Sequence, residues 1–177
     1  MPKPKLILLS GPLGSGKSTL AKKYVDEHPL ALNLDIDEIR KLIGQWREHP
    51  EESAKRSRRM AEEMTRITLS AGYDVIIPQI YRKQEYITSL EQIAQEMGAD
   101  FYELLLDVEK AEAIKRFMDR GGIHKGGLIE RGGGVAKLES MYDEMSELVA
   151  KRPATIRIKP ALGDIEATYR ELVSQVS

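Results

Sequence analysis

The chain has 177 residues, of which 41% are hydrophobic and 31% charged, a composition typical of a soluble globular protein with one domain. Its 27 lysines and arginines nearly balance its 28 aspartates and glutamates, which excludes a global attraction to nucleic acid or membrane surfaces. Because cysteine is absent, disulfides, thiolate zinc sites and thiol nucleophiles are also excluded.

The first ten residues, MPKPKLILLS, combine basic residues with a short apolar run. A signal peptide could begin in this way, but the run covers only residues 6–9 and leads directly into a glycine-rich loop. We therefore predict a buried strand. No apolar stretch approaches the ~20 residues that a membrane helix needs. We expect a cytoplasmic protein with no membrane partner.

Strand-like and helix-like segments alternate along the chain, as they do around a parallel α/β sheet. Strands are predicted at residues 5–10, 30–34, 74–78, 101–108 and 154–160. The intervening helices are predicted from residues 17–27, from a start at Pro50, and from apolar residues at helical spacing. Those apolar series are Met60, Met64, Ile67 and Ala71; Ile87, Leu90, Ala94 and Met97; Ala111, Ile114, Phe117 and Met118; and Ile165, Tyr169, Leu172 and Val176, with Asp164 as an N-cap.

The first strand leads into GPLGSGKST, in which Gly11, four free positions and Gly16-Lys17-Ser18 form a phosphate-binding P-loop pattern. Glycines let the backbone approach phosphates, and successive N–H groups form an anion nest beside the positive end of a helix dipole. A chance glycine-rich turn is the alternative, but the strand before and the helix after are the context that the motif requires. We predict that ATP is bound by Gly11, Pro12, Leu13, Gly14, Ser15, Gly16, Lys17, Ser18 and Thr19. Within that set, Lys17 is expected on the β- and γ-phosphates and Ser18 on Mg²⁺.

A second informative stretch, LDIDEIR, contains Asp35 and Asp37 with one residue between them. If the strand end stays extended there, the two carboxylates project together beyond the edge of the sheet where the P-loop lies. A carboxylate at that edge can act as the general base for an acceptor hydroxyl, and a second can hold magnesium-bound water. The alternative is that both residues only start a helix, as N-cap and first-turn acids.

GPLGSGKST followed by LDIDEIR resembles the P-loop kinase group of zeta-toxin, chloramphenicol phosphotransferase, gluconate kinase and adenylylsulfate kinase. The resemblance covers residues 5–120 best, and the layout of a long helix, the strand DVIIP and a loop with an arginine is similar to zeta-toxin relatives. It implies that Asp37 is the base, that Asp35 helps hold Mg²⁺, and that Asp35, Asp37, Arg40 and Arg82 lie at the substrate. The chain departs from many P-loop ATPases because DVIIPQI ends in proline and Gln79 rather than an acid. Gln79 could touch substrate or merely cap a loop.

The stretch from residue 121 to 134 holds 7 of the chain's 14 glycines and is too polar to be core. Arg116 and Arg120 precede it one helical turn apart, and Arg131 lies within it. Arginines on a mobile segment can neutralise a phosphoryl group in transfer and exclude water. We predict a lid over residues 116–134 that carries these three arginines. The alternative is a solvated helix face beside a flexible loop.

Together these features predict a three-layer α/β P-loop fold with a five-stranded parallel sheet, forming one domain over residues 1–177. The predicted activity is transfer of the γ-phosphoryl group of ATP, with Mg²⁺, to a hydroxyl of a small molecule. One alternative acceptor is the 5′-hydroxyl of a nucleic acid, although the basic run KRSRR at residues 55–59 lacks aromatic neighbours that would stack bases. Most such runs are solvated helix faces, but this one could attract an anionic substrate if its helix overhangs Asp37. A nucleotide-dependent switch without an acceptor is a second alternative. A toxin that phosphorylates a nucleotide sugar, which the zeta-toxin-like layout permits, is a third.

Overall fold

The computed structural model describes residues 3–119, 134–161 and 163–177. The strands in these ranges are β1 (Lys5–Ser10), β2 (Leu32–Asn33), β3 (Val75–Pro78), β4 (Asp100–Leu106) and β5 (Ile156–Ile158). The helices are α1 (Lys17–Glu27), α2 (Ile36–Lys41), α3 (Pro50–Ser70), α4 (Gln84–Met97), α5 (Lys110–Asp119), α6 (Gly134–Ala150) and α7 (Ile165–Gln175). No helix in the described ranges is long and apolar enough to cross a membrane.

The strands form one five-stranded sheet in the order β2-β3-β1-β4-β5, and every neighbouring pair is parallel. This confirms the predicted fold class. The chain runs from β1 outward to β2, returns to β3 and then crosses to β4 on the other side of β1. The strand order therefore reverses at β1, and the crevice beyond the carboxyl end of such a strand is where ligands bind in open α/β sheets.

Helices cover the sheet on both faces, and the apolar residues of β1 divide between the two cores that result. Leu6 and Leu8 belong to a cluster with residues of α3 and α4, whereas Ile7 and Leu9 belong to a cluster with residues of α1 and α7. All four side chains are fully buried. A continuous apolar run is required because both faces of a central parallel strand are covered.

The long helix α3 is present, but the apolar residues whose spacing predicted it do not form its buried face. Met60, Met64 and Ile67 are 41%, 38% and 69% exposed. The buried residues of α3 are Ser53, Ser57, Ala61, Thr65 and Leu69. Small residues on this face let α3 lie close to α2 and α4, and two of the buried hydroxyls bond to carbonyls of the helix itself. Apolar periodicity therefore identified the helix but not the side that packs.

Helix α6 follows the predicted lid and was not predicted. It buries Leu138, Met141, Met145, Leu148 and Val149, which lie at helical spacing. A 2.9 Å ion pair joins Lys110 of α5 to Asp143 of α6, and the Tyr142 hydroxyl donates to the Val108 carbonyl at 3.1 Å. These contacts hold α6 beside α5. Of the predicted lid, residues 120–133 lie outside the described residues.

Candidate active site

The loop between β1 and α1 has the backbone of an anion cradle. Gly11, Gly14 and Gly16 have φ values of +151°, +86° and +99°, which L side chains rarely adopt. The Ser15 N–H donates to the Pro12 carbonyl at 3.2 Å, and α1 begins directly after Gly16. The positive end of the α1 dipole is therefore placed next to the loop, as phosphate binding requires.

Gly14 lies at the tip of this loop, where α5 approaches closely. A Cβ at Gly14 would come within 2.7 Å of the Ala113 carbonyl oxygen and 3.0 Å of the Phe117 nitrogen. Only glycine fits there without moving α5. The tip of the P-loop and the helix that leads into the predicted lid are thus in direct contact.

We expect Gly14→Ala to destabilise the protein more than Gly72→Ala. Both glycines have nearly the same φ, +86° and +84°, but a Cβ at Gly72 meets nothing within 4 Å. Both variants carry the cost of a left-handed non-glycine residue, about 1–2 kcal/mol, and Gly14→Ala adds overpacking of about 1–3 kcal/mol. Chemical denaturation of the two variants measures the difference in the free energy of unfolding. Equal losses would mean that α5 does not press on the loop.

The Lys17 side chain is buried and folds back over the P-loop. Its Nζ donates to the carbonyl oxygens of Gly11 and Pro12, both at 2.8 Å, and to the Ser15 hydroxyl at 3.4 Å. Ser18 is exposed at the first turn of α1. The positive-φ glycines, the buried ammonium and the exposed hydroxyl fit the triphosphate of ATP and a magnesium ion.

Asp35 and Asp37 do not lie together on an extended strand end, so that premise of the prediction was wrong. Strand β2 ends at Asn33, and Asp35 is the N-cap of α2. One Asp35 carboxylate oxygen accepts from the Asp37 N–H at 2.9 Å. This cap starts the helix at once, so Asp37 lies in the first turn of α2 with an exposed side chain.

The Asp35 carboxyl is only partly exposed. Burial, together with the nearby Asp37 carboxylate, raises its pKa above the ordinary aspartate value. The ionised form of Asp35 is therefore disfavoured in the folded protein relative to the unfolded chain.

We expect Asp35→Asn to increase stability at neutral pH, because asparagine keeps the cap but removes the disfavoured charge. Below about pH 4, the pKa of Asp35 in the unfolded chain, the carboxyl is protonated in both the folded and the unfolded protein, and its burial costs no stability through charge. Above that pH the loss of stability grows, until the pH exceeds the higher pKa of Asp35 in the folded protein. The stability gain should therefore shrink as pH falls toward 4. Thermal unfolding at several pH values measures this, with Asp164→Asn, at the exposed N-cap of α7, as the matched control. A stability that is unchanged or lower at pH 7 would contradict the expectation.

A cavity of about 200 Å³ lies beside the P-loop. Asp37, Arg40, Gln79 and Arg82, which the sequence predicted as substrate contacts, all border it, and so does Leu13 of the P-loop. Helix α2 carries Asp37 and Arg40 to this place, and the segment that follows β3 carries Gln79 and Arg82. Asp35, which the sequence also predicted as a substrate contact, does not line this cavity, because its side chain caps α2.

The two predicted substrate arginines already have protein partners. Arg40 donates to the Ser53 hydroxyl at 2.9 Å and to the Pro50 carbonyl at 2.6 Å, and its guanidinium lies 5.2 Å from the centre of the Trp46 ring. Arg82 forms a 2.8 Å ion pair with Glu144 of α6. Arg40 therefore connects α2 to the start of α3, and Arg82 connects the wall of the cavity to α6.

Sequence reasoning missed several residues that line the cavity. They are Ser57 and Arg58 of α3, Tyr81 and Tyr86 near the start of α4, and Met141 of α6. The basic run at residues 55–59 was the feature of the sequence that pointed to Arg58. The helical spacing of the apolar residues in α6 was the feature that could have identified Met141. The two tyrosines carried no signal, because only the tertiary structure brings them to the P-loop side of the sheet.

Of the three predicted lid arginines, Arg116 alone lies within the described residues. It is in α5, and its Nε donates to Glu112 at 2.7 Å. Arg120 and Arg131 fall outside the described ranges. Helix α5 also meets the P-loop at Gly14, so Arg116 is held close to the loop by the backbone around it.

The described ranges contain no cluster of three or more histidine or acidic side chains that could hold a metal ion. In the P-loop pattern a hydroxyl, phosphate oxygens and water supply most of the magnesium ligands. Ser18 and Asp35 are the two side chains that the sequence predicted for magnesium.

Residues 6–126 match the family model described as an AAA domain. The chain belongs to this family. The match begins in β1 and includes the P-loop, both aspartates and α5. No curated protein matches the sequence.

Three solved structures share the fold at low sequence identity. A chain of the Pnkp1/Rnl/Hen1 RNA repair complex is 20% identical with a TM-score of 0.69, over 94% of this AAA-family chain and 51% of its own length. The Mycobacterium tuberculosis APS kinase CysC, in complex with AMPPNP and APS, is 17% identical with a TM-score of 0.64, over 99% of each chain. The Deinococcus radiodurans tunicamycin resistance protein is 16% identical with a TM-score of 0.64, over 98% of this chain and 96% of its own.

These matches confirm the resemblance to the P-loop kinase group at the level of family and fold. The chain spans about half the length of the RNA repair protein that it matches. This chain therefore has the P-loop fold that these structures share.

Proposed function

We propose that this AAA-family chain is a kinase that transfers the γ-phosphoryl group of ATP to a hydroxyl of a small molecule. The bond between the γ-phosphorus and the bridging oxygen of ATP breaks, and a bond from phosphorus to the acceptor oxygen forms. The acceptor proton passes to the Asp37 carboxylate, and ADP leaves with the bonding electron pair. All positions of the P-loop from Gly11 to Thr19 hold the nucleotide, with Lys17 on its β- and γ-phosphates.

The observation that carries this proposal is the cavity of about 200 Å³ that Leu13 of the P-loop shares with Asp37. The Asp37 carboxylate and Leu13, one residue of the P-loop, border the same open space, and that space is large enough for a small alcohol. Arg40, Gln79 and Arg82 on its walls supply donors that can orient such a molecule.

Magnesium, when bound with ATP, would neutralise phosphate charge, and Ser18 with Asp35 or its bound waters would hold it. Without that ion, burial and the nearby Asp37 carboxylate disfavour the charged form of Asp35. Arg116, Arg120 and Arg131 would face the transferring group from the lid and exclude water, which favours transfer to an alcohol over hydrolysis.

A panel of hydroxyl compounds incubated with γ-labelled ATP and magnesium tests the proposal. We expect a labelled phosphate ester from at least one class of alcohol, at a rate above the background of ATP hydrolysis. ATP turnover that yields only inorganic phosphate with every compound, and that does not depend on Asp37, would favour the switch instead.

A polynucleotide 5′-hydroxyl is the second candidate acceptor. Arg56, Arg58 and Arg59 are exposed on α3, and the RNA repair chain shares the fold. Tight oligonucleotide binding that weakens steeply with salt would favour this acceptor. The near-neutral net charge of −1 favours a small molecule.

A further inference from the structure

The walls of the acceptor cavity carry a strong excess of positive charge. Among the described residues that line it, Arg40, Arg58, Arg82 and Lys83 are basic, and Asp37 is the one acid. Glu144 compensates Arg82 from outside the cavity. Within the described part of the chain, Arg58 and Lys83 form no ion pair. A neutral alcohol would leave this charge uncompensated, whereas an anionic one would balance it.

Arg58 stands over a pair of stacked tyrosines in the same wall. Its guanidinium carbon is 5.6 Å from the centre of the Tyr86 ring, and the Tyr81 and Tyr86 ring centres are 5.6 Å apart. The cation–π contact fixes the guanidinium beside the ring without using its N–H donors. Those donors remain directed to whatever occupies the cavity or to solvent.

The two tyrosine hydroxyls are buried and lack hydrogen-bond partners within the ranges that the structure describes. Tyr81 is only 4% exposed. Burial raises the pKa of both hydroxyls above the ordinary tyrosine value, so both keep their protons and act as donors. Buried donors without an acceptor are unfavourable, and an acceptor oxygen on a bound molecule would remove that penalty.

We propose that the acceptor is an alcohol that also carries a tetrahedral phosphate- or sulfate-type oxyanion, bound by Arg58 together with the hydroxyls of Tyr81 and Tyr86. A guanidinium and two hydroxyls supply enough donors for the several oxygens of such a group. This subsite is separate from the P-loop, which contributes only Leu13 to the cavity. The inference deepens the proposed function and rests on it for the identity of the bound molecule as acceptor.

Inorganic sulfate and inorganic phosphate are the probes for this subsite. The protein is first saturated with magnesium and a non-hydrolysable ATP analogue, so that the P-loop is filled, and each anion is titrated at constant ionic strength. Amide chemical shifts in two-dimensional NMR spectra report the binding. We expect saturable binding that is weakened about tenfold or more in Arg58→Gln and by a smaller factor in Tyr86→Phe.

Arg59→Gln is the matched control, because Arg59 is the exposed neighbour in the same basic run and does not line the cavity. It should bind sulfate as the wild type does. Absence of saturable binding, equal binding in Arg58→Gln, or equal weakening in Arg59→Gln would each overturn the subsite.

An activity comparison then links the subsite to the acceptor. Each neutral alcohol in the panel is tested beside its phosphate monoester, and the monoester should have a KM at least about tenfold lower, an advantage that Arg58→Gln removes. A neutral acceptor whose KM is unchanged in Arg58→Gln would overturn the inference while the kinase proposal stands. Conversely, Arg58-dependent sulfate binding in a protein that transfers no phosphoryl group would leave the anion subsite intact and refute the kinase.

Discussion

Asp37→Asn is expected to lower the rate of phosphoryl transfer by roughly 10²–10⁴-fold, the usual contribution of a general base. Asparagine has nearly the same shape but cannot accept the proton of the acceptor hydroxyl. Because the Asp37 side chain is exposed and its N–H, which the Asp35 cap uses, remains in the variant, the fold and the affinity for ATP should be preserved. The measurement is kcat for formation of the phosphate ester, beside the dissociation constant of an ATP analogue.

Glu38→Gln provides the control for Asp37. Glu38 is the next acid in α2, it forms an ion pair with Lys41 on the surface, and it does not line the cavity. Its removal should leave kcat within a factor of about two, as expected for a surface pair. If Asp37→Asn retained more than half of the wild-type rate, Asp37 would not be the base and the proposed mechanism would be wrong.

Lys17→Met is expected to have the second large effect. Loss of a cation that stabilises the transferring phosphoryl group should lower kcat by roughly 10²–10³-fold, and ATP should bind more weakly. The variant should also be less stable without nucleotide by about 1–3 kcal/mol, because the Gly11 and Pro12 carbonyls lose the donor that now satisfies them. Nucleotide-dependent shifts in melting temperature measure the binding, and denaturation without nucleotide measures the stability.

The matched control is Lys22→Met in the same helix. Lys22 is exposed and pairs with Asp26 four residues later, an interaction of about 0.3–0.5 kcal/mol. It should change neither nucleotide binding nor turnover. A Lys17→Met protein whose melting temperature rises with ATP as much as that of the wild type would show that the nucleotide does not occupy the P-loop.

The sequence alone predicted a structural feature correctly where all the residues that form the feature are consecutive in the chain. The P-loop was predictable because its phosphate-binding groups are consecutive in the chain, and α1 begins and ends at the predicted residues, Lys17 and Glu27. The central strands were equally clear, since a strand covered on both faces must be apolar throughout. Boundaries at the sheet edge were less exact, and β2 covers Leu32–Asn33 rather than the predicted residues 30–34.

Local sequence misled where a neighbour decides which side of an element is buried. The methionines of α3 have the spacing of a core face, but α2 and α4 approach its serines and threonine instead. Similarly, Asp35 and Asp37 were expected side by side on a strand, whereas a cap hydrogen bond turns the chain into α2 between them. The spacing of residues along one segment does not specify where the neighbouring helices pack against it.

By itself the sequence determined the family, the parallel α/β fold and the phosphate-binding loop, because each of these is encoded in contiguous residues with a regular period or a fixed motif. It also identified Asp35, Asp37, Arg40, Gln79 and Arg82 as a set. Only the tertiary structure decided that all of these except Asp35 share one cavity with Leu13, and that Arg58, Tyr81 and Tyr86 complete its wall. These residues come from α2, α3, the end of β3 and the segment leading into α4, and long-range burial of apolar surface, which has no local signature, is what brings them together.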